Sequence, residues 1–175
     1  KQMKFLRALV ETVDYLTEGE NKSLYITGPF LVSEEKNRNG RIYPKGVLES
    51  SVSKYIENKL NNKTSYGELS HPQGPKINED RISHLVESLI WDKNIVIGKA
   101  KILNTPMGNI ARGILEGGGK LGVSSRGLGT LKQNSSGIME VQDDYFISTA
   151  ADIVTDPSGP GCLVTPLPQP RKSTH

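Results

Sequence analysis

The sequence predicts an α+β fold that is mostly β: an antiparallel β-barrel surrounded by a few helices. Six or more short segments have strand character and are separated by turn residues. Only two or three segments carry apolar residues at helical spacing. No internal repeat is evident, and 175 residues suit one domain with an ordinary core.

Taken in order, residues 3–17 have helical spacing, with Phe5, Leu6, Leu9, Val10, Val13 and Leu16 forming an apolar stripe beside Lys4, Arg7, Glu11 and Asp14. Glu18 to Lys22 breaks that pattern. The segment 1–20 is thus expected to be an N-terminal helix, either packed on the domain or detachable as a propeptide or docking peptide. Leu24 to Val32 reads as a strand, and Ser33 to Gly40 as a polar loop. Pro44 starts a helix in which Val47, Leu48, Val52, Tyr55, Ile56 and Leu60 recur at helical spacing, and Asn61-Asn62-Lys63 ends it. Tyr66 to Ser70 is a short strand leading to His71-Pro72. Ile82 to Trp91 and Ile95 to Leu103 form a hairpin around Asp92-Lys93-Asn94. Thr105-Pro106 caps a second helix with Ile110, Ile114 and Leu115 on its buried face, and Gly117-Gly118-Gly119 stops it. Leu121 to Leu131 and Tyr145 to Val154 are further strands, linked by polar Gln133 to Gly137 and a short apolar run, Ile138 to Val141. After Pro157 the chain is rich in Pro and Gly. The expected organisation is an N-terminal segment 1–20, a main domain 21–166 and an extended tail 167–175.

Composition excludes several classes. Twenty-two basic against 19 acidic residues leave a net charge of +3, too mild to argue for nucleic acid. The single cysteine, Cys162, rules out an internal disulfide framework and fits a reducing compartment. His71, His84 and His175 are too far apart to make a metal-ligand pattern, so neither metal nor cofactor is expected. Apolar runs fall short of the roughly 20 residues that cross a bilayer. The reading is a soluble, intracellular protein.

Chemistry concentrates in Gly122-Val123-Ser124-Ser125-Arg126-Gly127-Leu128-Gly129 and Gly67-Glu68-Leu69-Ser70-His71-Pro72. A serine becomes a useful nucleophile when a histidine takes its proton. In a strand, Ser124 shares a face with Gly122 and Arg126, and Ser125 one with Val123. The small, polar face favours Ser124 as nucleophile; the plain alternative is a serine in a glycine-rich strand. Arg126 is read as support for an oxyanion, directly or by fixing the loop that binds it, against the plain reading of a structural ion pair. His71 is the candidate base, and His84 is read as a strand residue. The carboxylate that would orient the base is Asp152, Glu68 or the Asp143-Asp144 pair. Asp152 stands out within Ala150-Ala151-Asp152-Ile153-Val154, where an unpaired charge would be costly.

These segments resemble the prohead core proteases of T4-like tailed phages, from about Leu24 to Pro166 and in the same order. Gly67 to Pro72 is similar to that family's histidine motif, with Ser70 where asparagine can occur. Gly122 to Gly129 is similar to its nucleophile motif, and Asn37-Arg38-Asn39, Arg41 and Tyr43-Pro44-Lys45 to a third block. The resemblance implies a fold related to herpesvirus assemblins and a serine endopeptidase that acts inside the immature head, within the host bacterial cytoplasm. It implies Ser124 as nucleophile, His71 as base and Asp152 as third member; in the mechanism read from these residues, N–H groups near Ser125 and Arg126 hold the oxyanion. The implied substrates are scaffold and capsid proteins and the chain itself, cut after Glu in Leu/Ile-x-Glu. Leu9-Val10-Glu11 and Leu16-Thr17-Glu18 fit that pattern, so removal of the N-terminal segment is expected; Leu85-Val86-Glu87 and Ile114-Leu115-Glu116 fit too but belong to folded elements. Arg38 and Arg41 are weak candidates for substrate binding, the plain reading being a loop with solvated charges. No membrane or nucleic acid is required, and a homo-oligomer is allowed. Two rivals stand beside this reading: an inactive virion structural protein of the same barrel fold, and a nucleic-acid-binding barrel using Arg38, Arg41 and Lys45.

Overall fold

A computed structural model of the chain describes residues 3–8, 11–19, 22–36 and 40–155. Expectations for Arg38 and its neighbours Asn37 and Asn39, for Leu9 and Val10, for Cys162 and for the tail 167–175 lie outside the described residues. The N-terminal segment is not a helix. It forms strands β1 (Lys4–Arg7) and β2 (Glu11–Glu18). Leu6, Val13 and Tyr15 are buried, and along β2 inward positions alternate with half-buried Asp14 and Leu16. Val13, Tyr15 and Thr17 are strand-favouring types. Both periods can be read in this segment, and pairing with distant strands decides between them.

The remaining strands are β3 (Ser23–Val32), β4 (Arg41–Ile42), β5 (Tyr66–Glu68), β6 (Ile82–Asp92), β7 (Ile95–Ile102), β8 (Leu121–Gly129), β9 (Leu131–Gln133), β10 (Met139–Val141) and β11 (Phe146–Val154). The larger sheet runs β1-β8-β2-β3-β7-β6-β5, with β11 also on β8, and β4-β10-β9 forms a small second sheet. β8 is thus flanked by three strands: β1 and β2 pair with successive parts of it, and β11 pairs with it as well. Seven of its nine residues in a row are buried, so it reads as core throughout rather than alternating. The β6–β7 hairpin closes through Lys93, whose φ of +56° supplies the left-handed turn.

A closed barrel is not found among the described residues. β5 and β11 meet through a single parallel bridge, Leu69 to Ile153, with the Ser70 amide donating to the Ile153 carbonyl at 2.6 Å. The physical reason is that β5 has only three residues and that side chains occupy carbonyls of β11 beyond it. Ser51 Oγ donates to the Tyr145 carbonyl just before β11 (3.1 Å), the His84 ring to that of Ala151 (2.6 Å), and Tyr55 bonds Ala150.

Helix α1 (Lys45–Tyr55) follows Pro44 and buries Leu48, Ser51, Val52 and Tyr55; it continues as a π-helical turn, Ile56–Leu60. The Glu34 carboxylate accepts from the Lys45 amide at 2.6 Å, a favourable charge at a helix N-terminus. Helix α2 (Pro106–Glu116) is capped by Thr105, whose hydroxyl accepts from the Gly108 amide at 3.0 Å. Its buried face is Gly108, Ala111 and Leu115. Ile110, expected inside, is 49% exposed: the face that packs inward runs through Gly108, where a Cβ would meet the Leu103 and Ser83 carbonyls, and Ala111.

Candidate active site

Register brings the site together. Asp152 of β11 lies directly opposite Ser124 of β8. His71 follows β5, which is carried against β11 by the Leu69–Ile153 bridge, and the left-handed conformation of Ser70 (φ +71°) turns the chain just before it. His71 Nδ1 lies 3.4 Å from Asp152 Oδ2. A carboxylate at that distance selects the Nδ1–H tautomer and leaves Nε2 with a free lone pair. Nε2 is buried and makes no hydrogen bond.

Asp152, Glu68 and Arg126 are all fully buried. Arg126 donates to Asp152 through Nε (2.6 Å) and Nη2 (3.1 Å), a bidentate pair. Its Nη2 also reaches Glu68 (3.2 Å). The Glu68 amide donates to Asp152 Oδ1 (3.1 Å), and its carboxylate accepts from the amide and side chain of Asn78. Arg81 lies 3.8 Å from Glu68 and donates to the Leu69 carbonyl. Every buried charge here therefore has partners, as burial demands.

A serine hydroxyl on β8, a carboxylate opposite it on β11 and an imidazole 3.4 Å from that carboxylate are groups of the kind an acyl-transfer site uses. The sequence matches the prohead core protein serine protease family over residues 4–171. The chain belongs to that family. It is 35% identical to the prohead core protein protease of Enterobacteria phage T4 over 161 residues, covering 90% of this chain and 76% of that protein. The solved structure of the bacteriophage T4 capsid assembly protease superposes with a TM-score of 0.78 at 30% identity, over 88% of this chain and 99% of that one.

In this family member the Ser124 hydroxyl is not bonded to His71; it donates to the carbonyl of Ala8 at 2.6 Å. β1 lies antiparallel along β8, and the Ala8 amide donates to the Ser125 carbonyl at 3.1 Å. Arg7 donates to the Pro72 carbonyl at 2.8 Å, one residue beyond His71. Arg41 donates to the Arg7 carbonyl at 3.4 Å, so the candidate substrate-binding cation contacts main chain of the segment over the site. Ser125 sits beside the Tyr145 hydroxyl in the core.

The motif glycines have a steric purpose. A Cβ at Gly67 would collide with His84 Nε2 and the Ala151 carbonyl, and one at Gly127 with Tyr145 and the Phe146 carbonyl. His84 is fully buried and its pKa is lowered, chiefly by burial. Its Nε2 lies 2.6 Å from the Ala151 carbonyl and its Nδ1 2.7 Å from the Ser83 hydroxyl, so the ring is bonded at both nitrogens. Sequence reasoning missed Arg7, Ala8 and Asn78. The first two sit in a segment with a helical pattern, and Asn78 in a loop with no periodicity to place it.

Proposed function

We propose that the chain is a serine endopeptidase of the phage prohead that cleaves scaffold and capsid proteins, and itself, after Glu in Leu/Ile-x-Glu sites. The observation that carries the reading is Asp152, opposite Ser124 in the strand register and 3.4 Å from His71 Nδ1. Ser124 attacks the carbonyl carbon of the Glu, His71 takes its proton and returns it to the leaving amine of the next residue, and Asp152 stabilises the imidazolium between the two steps. Water then releases the acyl group, with His71 again the base. The protein works inside the prohead in the host cell, and kinship with the herpesvirus assemblins belongs to the same reading.

The N-terminal segment supports self-processing. It lies where a substrate strand would lie, and Ala8 offers its carbonyl to the nucleophile. Arg7 pairs with Arg126 and Glu11 with Val123, so the two described strands of the segment sit on either side of Ser124 along β8. Glu11, the residue preceding the expected cut, is therefore held at Val123 while Ala8 meets Ser124: the segment covers the site in a register that does not present its own scissile bond. Cleavage after Glu11 would free β1 and expose Ser124. Cleavage after Glu18 would remove β2, which pairs with both β8 and β3, so Glu11 is the processing site we favour.

The test is incubation of wild type and Ser124→Ala with a Leu-x-Glu peptide, with products read by mass spectrometry. Cleavage after Glu by wild type alone supports the reading, and equal cleavage by both proteins eliminates Ser124. Cleavage by neither, with no labelling of the processed chain by a fluorophosphonate, would favour an inactive virion protein instead.

A further inference from the structure

We infer that Arg126 is a positioning residue for the Asp152–His71 pair and not a donor to the oxyanion, an inference that rests on the protease reading above. A guanidinium has five N–H donors in a fixed plane. Here all five have acceptors: Nε on Asp152 Oδ2, Nη2 on Asp152 Oδ1 and Glu68 Oε2, and Nη1 on the carbonyls of Gly74 (2.9 Å) and Lys76 (3.2 Å). The side chain is fully buried. No donor remains to meet charge developing on a substrate carbonyl.

The same five bonds explain what Arg126 does. The bidentate contact fixes the plane of the Asp152 carboxylate, and Oδ2 of that carboxylate is the atom His71 faces. The Nη1 bonds hold Gly74 and Lys76, on the stretch that leaves His71 through Pro72. One cation thus fixes both the carboxylate and the chain that carries the histidine. Glu68 supplies the second negative charge that the buried arginine balances, and is itself held by Asn78. Asp152 is the charge against His71; Arg126 contacts Asp152, Glu68 contacts Arg126, Arg81 lies near Glu68, and Arg7 reaches the Pro72 carbonyl. A lysine cannot reproduce this, because its point charge cannot engage both carboxylate oxygens and the turn at once.

The test pairs activity with a signature independent of activity. In full-length wild type, the His71 Nδ1 proton should give a downfield NMR resonance, assigned by its loss in His71→Gln. Arg126→Lys should remove or shift that resonance and lower the rate at saturating Leu-x-Glu peptide on the order of 10²-fold, as for a reacting group misplaced by about an ångström. Arg126→Met combined with Glu68→Met removes one buried charge of each sign, so it keeps the charge balance if the single variant does not fold. It should remain slow and lack the resonance. An unchanged resonance in Arg126→Lys, its absence from wild type, or recovery of near wild-type rate in the double variant would overturn the inference. Because the resonance is read without turnover, failure of the protease reading would appear separately, as a wild type that cuts no better than Ser124→Ala.

Discussion

Two segments approach the paired Ser124 and Asp152, one at each residue, and they are fastened in opposite ways. The arm from β5 to β6 that carries His71 is held by a buried network in which Asp152, Glu68 and Arg126 are fully enclosed and fully paired. Removing one member would leave an uncompensated buried charge, worth about 3–5 kcal/mol. The N-terminal segment pairs with β8 itself and is held by main-chain pairing, the buried side chains of Leu6, Val13 and Tyr15 and two arginine contacts, and it buries one acid poorly. Glu11 has its pKa pushed up to about 8, chiefly by burial and then by the charge of Glu35. One attachment is built to persist. The other carries a defect at the residue where release is proposed.

The contrast can be broken most sharply at the network. Asp152→Asn should lower the rate of peptide cleavage on the order of 10⁴-fold, as loss of the orienting carboxylate does in serine hydrolase triads; a rate within tenfold of wild type would detach Asp152 from the chemistry. Gly67→Ala should lower stability by about 1–3 kcal/mol, since its methyl meets the His84 ring and the Ala151 carbonyl. Chemical denaturation measures this, and an unchanged midpoint would mean that the strands beside His71 yield easily.

The N-terminal attachment should respond to pH instead. Because the folded pKa of Glu11 is raised from 4.5 to about 8, its contribution is fully present below pH 4.5 and is lost as pH rises through 8. Amide exchange at residues 11–13, corrected for the intrinsic pH dependence, should show weaker protection at pH 9 than at pH 5, and Glu11→Gln should flatten the difference. Equal protection at both pH values would remove the defect from the account. The smallest effect is expected at Ser70, whose φ of +71° favours glycine. Ser70→Gly should gain at most about 1 kcal/mol by relieving that backbone conformation, seen as a small rise in Tm.

Much of the scaffold is legible in the sequence because local pattern and tertiary structure agree there. The alternation of β3, the β6–β7 hairpin and the Thr105-Pro106 cap each carry their own signal. Where they disagree, the sequence misleads. Phe5, Leu6, Leu9 and Val10 suit a helix, and only partners far along the chain, such as Ser124, 116 positions from Ala8, make Lys4–Arg7 a strand. Barrel closure is similarly illegible, since it depends on whether carbonyls of β11 meet strands or the side chains of Tyr55 and His84. At the site, parity separates Ser124 from Ser125 and isolates Asp152 as an acid among apolar neighbours. Composition does not reveal that Glu68, a rival for the same role, meets Asp152 through its amide and Arg126 through its carboxylate. Nor does it reveal that all five donors of Arg126 have acceptors, because two of these are loop carbonyls that any residue could provide.

The central claim is that Ser124 cuts peptide bonds after Glu and that its first substrate is the segment lying on it. Intact-mass measurement of the incubated full chain tests this most directly. Wild type should lose residues 1–11, and Ser124→Ala should keep its full mass under the same conditions. Loss of that segment from both proteins, or cleavage of wild type at bonds that do not follow Glu, would contradict the account.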